Sequence, residues 1–141
     1  MAGMNTRRVL LGAVAGGAVW TLWTMVINVA VLSSQYAAAQ QAGHLLKEPR
    51  YPLFLVYWII TLFLVSFVLA WLYAGVRATC GAGPRTALLL GLRGGFAVAF
   101  PLSLSVATWA PWGRTITLWW MIDLWGGAVL ATFVAGWLYK D

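Results

Sequence analysis

Two charged side chains fall deep inside the apolar stretches of this 141-residue chain, Arg93 and Asp123. Ionisable groups in hydrocarbon are costly, and they mark ion paths, proton relays or ligand sites unless a partner satisfies them. Arg93 stands ~10 Å in from the start of its segment at 1.5 Å per residue. Its long stem can carry the guanidinium back to the interface. Asp123 sits roughly two helical turns below the opposite interface, and its short side chain has no such escape. Counting depth in the same way brings Asn28, Tyr57, Ser103 and Ser105 to a similar level, while Thr21, Thr24 and Asn28 form a polar stripe at helical spacing. The expected polar site is therefore Asp123 with Asn28, Tyr57 and Ser103. Arg93 lies over ~10 Å away along the axes, so Arg50 or Arg114 would be better ionic partners. A carboxyl among an amide, a phenol and a hydroxyl can hold a proton, a small cation or a polar ligand. The same groups can equally serve as an interhelical hydrogen-bonding cluster.

Little else in the chain could do chemistry. His44 is the only histidine and lies in a connection beside Lys47 and Glu48. With Asp123 the only carboxylate inside an apolar segment, too few ligands exist for a metal site. No Ser-His-Asp set, carboxylate pair or phosphate loop is present. Cys80 is the only cysteine, which rules out an intrachain disulfide and a CxxC redox pair. No catalytic residue, metal or cofactor is expected, and the chain does not read as an enzyme. The net charge of +6 comes from basic residues scattered singly between apolar segments. A nucleic-acid surface would cluster them on one face, so no nucleic-acid partner is expected.

The elements that must position these residues follow from apolar length. Of the residues, 62% are hydrophobic and 9% charged, outside the usual soluble range. Crossing a ~30 Å hydrocarbon core takes ~20 apolar residues per helix, and residues 9–32, 52–75, 86–108 and 116–139 each meet that. None alternates with period two, which excludes a small barrel. The expected fold is an all-α membrane protein, one transmembrane domain over residues 1–141 with four membrane-spanning helices. Thr6-Arg-Arg-Val-Leu-Leu11 looks like a twin-arginine export motif. Its apolar stretch is about twice the usual signal length and is interrupted by Trp20, Trp23 and Asn28, so the segment reads as a retained helix. Residues 33–51 begin rich in Ala and Gln and end at Glu48-Pro49 and Pro52. They are expected to extend the first helix, or else to lie along the membrane surface.

A repeat organises the four segments. Ser66-Phe-Val-Leu-Ala-Trp-Leu-Tyr73 returns as Thr132-Phe-Val-Ala-Gly-Trp-Leu-Tyr139, and each copy closes a segment whose predecessor carries a Gly-xxx-Gly, Gly12/Gly16 in one half and Gly91/Gly95 in the other. The reading is two tandem helical hairpins related as a parallel internal repeat. Small residues four apart let helix backbones approach closely, so the first and third membrane helices are expected to touch through these glycines. Arg7, Arg8, Arg77, Arg85 and Lys140 fall on one side, against Lys47, Arg50 and Arg114 on the other. The positive-inside rule then places both termini in the cytoplasm of a bacterial inner membrane. Most of the ten tryptophans bunch near segment ends, as an aromatic belt does.

The runs Ala42-Gly-His-Leu-Leu-Lys-Glu-Pro-Arg-Tyr-Pro-Leu-Phe54, Trp71-Leu-Tyr-Ala-Gly-Val-Arg-Ala-Thr79, Gly83-Pro-Arg-Thr-Ala87 and Ala135-Gly-Trp-Leu-Tyr139 resemble a family of small bacterial four-helix integral membrane proteins. The resemblance implies the fold and carries no assigned activity or site residues. Small multidrug transporters place a Glu in the first membrane helix, and this chain has none there. Small fluoride channels carry an Asn motif in the second helix, also without a counterpart. The functional expectation is a non-catalytic structural or accessory subunit, or a homo-oligomer, held in the lipid bilayer with other membrane subunits or further copies. The alternative is a small ion, proton or solute transporter or channel using the polar level around Asp123.

Overall fold

The chain turns wherever glycine or proline ends a run of helix formers. The computed structural model describes residues 4–139, which form α1 (Thr6–Met25), a π-helical segment (Val26–Val31), α2 (Ser33–Gln41), α3 (Phe54–Cys80), α4 (Pro84–Trp109) and α5 (Arg114–Leu138). Lys140, one of the residues in the charge count, lies outside the described range. Asn5 caps α1, its side-chain oxygen accepting from the Arg8 N–H at 3.2 Å. Helix α3 runs five residues past the expected end at 75, because nothing in Val76–Cys80 breaks it before Gly81. Gly81 and Gly83 then take φ of 85° and 132°, a conformation glycine adopts without a Cβ clash. That leaves a three-residue turn before Pro84 opens α4.

Four helical stretches, Thr6–Val31, Phe54–Cys80, Pro84–Trp109 and Arg114–Leu138, are long and apolar enough to cross a membrane. The protein is a multi-pass membrane protein on that ground. Asn5 donates its backbone N–H to the Tyr139 hydroxyl at 2.9 Å, so the two ends of the described chain meet at one end of the bundle.

Helix α5 is the hub. It packs against α1, α3 and α4, and α1 also packs along α3. Along α1 and α5 the antiparallel pairing advances four residues at a time: Gly12 against Ala135, Gly16 against Ala131, Trp20 against Gly127, Thr24 against Asp123. Helix α4 runs past α5 in the same manner, with Ala87 against Gly136, Gly91 against Thr132 and Gly95 against Ala128. A methyl group added at Gly91 would come within 2.8 Å of the Val129 Cα, and one at Gly16 within 2.9 Å of the Ala131 carbonyl oxygen. Such contacts need bare backbone, since lipid tails give helices no hydrophobic gain from association and close dispersion contact must supply it.

This arrangement corrects the expected contact between the first and third membrane helices. Among the described residues α1 and α4 share no substantial interface. Their glycine motifs meet different faces of α5 instead, because α5 offers small residues on two sides. Helix α3 completes the bundle by donating the Ser66 hydroxyl to the Ala13 carbonyl at 2.9 Å.

The first membrane helix does not continue straight into residues 33–41. The Val26–Val31 turn is widened, with the Leu32 N–H donating to the Ile27 carbonyl five residues back at 3.0 Å. The chain bends at Leu32, and α2 folds against the end of the bundle. Ala39 and Tyr36 there pack with Ile27, Leu32 and Ile116 under Trp112, Trp119 and Trp120.

Candidate functional site

Asp123 is 2% exposed on α5, and hydrogen-bond donors from α1 and from the π-helical turn that continues it reach the carboxyl. Thr24 donates its hydroxyl to Asp123 Oδ2 at 2.5 Å. Asn28 donates Nδ2–H to the same oxygen at 2.9 Å and to the Thr24 carbonyl, also at 2.9 Å. Thr24 and Asn28 lie four residues apart and so share one helix face. The π-helical turn begins between them. The Asn28 amide reaches the Thr24 carbonyl and the Asp123 carboxyl together.

A further layer fixes the amide. Tyr36 on α2 donates its hydroxyl to Asn28 Oδ1 at 2.5 Å, and Trp120 on α5 donates its indole N–H to the Tyr36 oxygen at 2.6 Å. With its carbonyl taken by a phenol, Asn28 must turn its NH2 toward Asp123, which settles the amide orientation chemically. Every donor in the chain Trp120, Tyr36, Asn28 therefore points toward the carboxyl. Burial pushes the Tyr36 phenol up from its ordinary value; the Trp120 hydrogen bond opposes this, and the charge of Asp123 adds to it. The phenol stays a neutral donor across the physiological range.

Two buried polar atoms in this region have no hydrogen-bond partner: Asp123 Oδ1, and Trp20 Nε1 one turn further along the α1–α5 contact. Both donors to the carboxyl, the Thr24 hydroxyl and the Asn28 amide, converge on one oxygen and leave the other bare.

The remaining residues of the expected polar level lie elsewhere. Tyr57 is 55% exposed on α3, with its side chain outside the bundle. Ser103 is buried on α4 but makes none of the hydrogen bonds of the cluster. Arg93 is exposed on α4 and does not meet Asp123. Arg50 and Arg114, the suggested ionic partners, are exposed as well, and among the described residues Asp123 is held by Thr24 and Asn28 alone. Among the described residues no group of three His, Cys, Asp or Glu side chains is placed to hold a metal ion.

Tyr36 and Trp120 are the members that sequence reasoning missed. Tyr36 lies beyond the apolar segment, in the Ala/Gln-rich stretch, and Trp120 looks like one more belt residue. Only the bend at Leu32 brings the phenol back eight positions to Asn28. The signal that was available is the Thr24/Asn28 spacing, which pointed to one polar face on α1.

Compared with family models, with curated proteins and with solved structures, the chain matches none of them.

Proposed function

We propose that the protein is a non-catalytic structural element of the membrane, an accessory subunit or self-associating scaffold whose bundle is locked by the Asp123 cluster. One observation carries this reading: the polar groups around Asp123 close on one another where α1 and its π-helical extension meet α5, with Tyr36 of α2 folded onto them. Tyr57 and Arg93 face outward and Ser103 stands apart, so the level that would have lined a passage is dispersed. Interhelical side-chain hydrogen bonds in a bilayer contribute on average ~0.6 kcal/mol each. Stripping donors of a buried acceptor costs more, ~1–3 kcal/mol for each polar group left alone. The cluster thus fixes which helices pair.

Outside it, α3 and α4 present broad apolar faces, with Leu55, Ile60, Leu64, Leu92, Phe96 and Leu102 all exposed. Helix α4 buries only a narrow stripe of small residues against α5. Such faces suit lipid and neighbouring membrane helices.

The test compares Asp123→Leu with Asp123→Asn in the native membrane. The asparagine keeps a carbonyl where Oδ2 accepts, so the scaffold should assemble normally; the leucine orphans Thr24 and Asn28 and should reduce the assembled fraction on gentle detergent extraction. If Asp123→Asn assembles normally but abolishes an ion or proton flux that the native protein shows in proteoliposomes, the scaffold reading is wrong and the transporter reading replaces it.

A further inference from the structure

The cluster that locks α1 to α5 leaves one atom unaccounted for, Oδ1 of Asp123, buried and without a partner. An ionised carboxylate offers two acceptor oxygens over which donors can divide. Here both are on Oδ2, and the geometry prevents them from moving. The Asn28 carbonyl is occupied by the Tyr36 hydroxyl, so the amide cannot flip and become an acceptor. Thr24 Oγ1 already lies 3.3 Å from the Asn28 Nδ2, which leaves its own hydrogen for the carboxyl. Among the described residues no basic side chain pairs with Asp123, and the one titratable group that faces it from a neighbouring element is the Tyr36 phenol of α2. An anionic carboxylate in that position is a buried charge with hydrogen bonds but no counter-ion, an expensive arrangement.

We propose that Asp123 is a reversible proton-binding site, with the proton carried on Oδ1. The choice of oxygen follows from the donors. A proton on Oδ2 would face the fixed N–H of Asn28 and displace the Thr24 hydrogen. A proton on Oδ1 leaves both bonds intact and turns Oδ2 into a carbonyl oxygen that accepts two of them. The step balances simply: the carboxylate gains one proton from water and becomes a neutral acid, with no other bond made or broken. The Asn28 amide interrupts the Tyr36 route, because an amide nitrogen does not pass protons on readily. Loading therefore depends on opening of the α1–α5 interface beside the widened Val26–Val31 turn, a π-helical departure of the kind frequent at functional sites. This goes beyond the scaffold reading and stands whether or not that reading holds.

Infrared spectroscopy of the full chain in lipid vesicles tests the site, aided by the scarcity of carboxyl side chains: the sequence has three, Glu48, Asp123 and Asp141. A protonated-carboxyl C=O band that appears and disappears reversibly with pH should persist in the Glu48→Gln/Asp141→Asn double variant and vanish in Asp123→Asn. The Thr24→Val variant then identifies the oxygen. With the proton on Oδ1, the carbonyl loses one of its two hydrogen bonds and its band moves to higher frequency. Two results overturn the proposal: no such band from Asp123 at any pH at which the helices stay folded, or a band whose frequency ignores Thr24→Val. Should Asp123→Asn fail to fold, the double variant and Thr24→Val still decide it, since both retain the carboxyl.

Discussion

Replacing Gly127 by alanine adds one methyl group at the tightest point of the bundle. The new Cβ would fall onto the Trp20 indole, against Nε1, Cδ1 and Cε2. That ring has no accessible surface, so it has nowhere open to retreat. Overpacking of this kind costs ~1–3 kcal/mol, whereas alanine in a helix interior gains ~1 kcal/mol over glycine. The net effect at Gly127 is a loss of ~0–2 kcal/mol. Gly75→Ala on α3 supplies the control, because a methyl there meets nothing within 4 Å and only the propensity gain of ~1 kcal/mol remains. Comparing the two variants cancels propensity and isolates the contact, ~1–3 kcal/mol or about 5- to 150-fold in the folded-to-unfolded ratio at 1.4 kcal/mol per tenfold. Unfolding in mixed micelles, titrated with a denaturing detergent and followed by helical circular dichroism and indole fluorescence, measures it. Equal responses from the two variants would mean that Trp20 does not seat on Gly127, and the four-residue register of α1 on α5 would fall with it.

Three further outcomes follow from the same contacts. Tyr36→Phe removes the hydroxyl that links Trp120 to Asn28 and should lower stability by ~1 kcal/mol, with faster amide hydrogen exchange across Val26–Val31; unchanged exchange there would detach α2 from the cluster. Because the folded-state pKa of Tyr36 is raised, its contribution is complete below the ordinary tyrosine range and is lost as pH climbs past about 10; an alkaline stability titration should show that loss in the native chain and not in Tyr36→Phe. The exposed Cys80 and a Met4→Cys label should react from one side of a vesicle with an impermeant thiol reagent, and Gly43→Cys, in a chain freed of Cys80, from the other; Tyr139 accepts from the Asn5 N–H through its hydroxyl and from the Arg77 guanidinium through its carbonyl, so labelling of positions 4 and 80 from opposite faces would contradict those contacts.

What the sequence made legible is what depends on counting. Apolar length gives four crossings because bilayer thickness and helical rise are fixed. Rise per residue also brings Asn28 to the level of Asp123, and a spacing of four puts Thr24 and Asn28 on one face. Rotation about each helix axis is a different matter. Tyr57 shares depth with Asn28 and Asp123, yet its side chain lies outside the bundle, and depth says nothing about azimuth. Residues 33–41 carry no strong apolar stripe, so nothing local announces that Tyr36 folds back. The widened turn over Val26–Val31 is equally silent in composition, four of its six residues being β-branched, a mix that a regular membrane helix would also accept.

The choice of α5 as hub has a physical reason that can be read once the question is put differently. A search for Gly-xxx-Gly finds α1 and α4 and invites them to pair with each other. Close approach needs only that both surfaces be smooth, and Ala or Thr serves on the partner side. Helix α5 carries two such ridges, Gly127, Ala131 and Ala135 on one side, and Ala128, Thr132 and Gly136 on the next. Adjacent ridges on one helix can take two partners at once, so α1 takes the first and α4 the second. A direct α1–α4 pairing would have used both glycine motifs on a single contact and left the two smooth ridges of α5 facing lipid. Filling both ridges makes two close interfaces in place of one. The first ridge also ends in Asp123, so the helix that seats Gly12, Gly16 and Trp20 necessarily brings Thr24 and then Asn28 to the carboxyl. Packing register and polar cluster are therefore one constraint: a shift of α1 by four residues along α5 would put Trp20 opposite Asp123, where a bulky indole meets a carboxyl whose two donors have moved a full turn away.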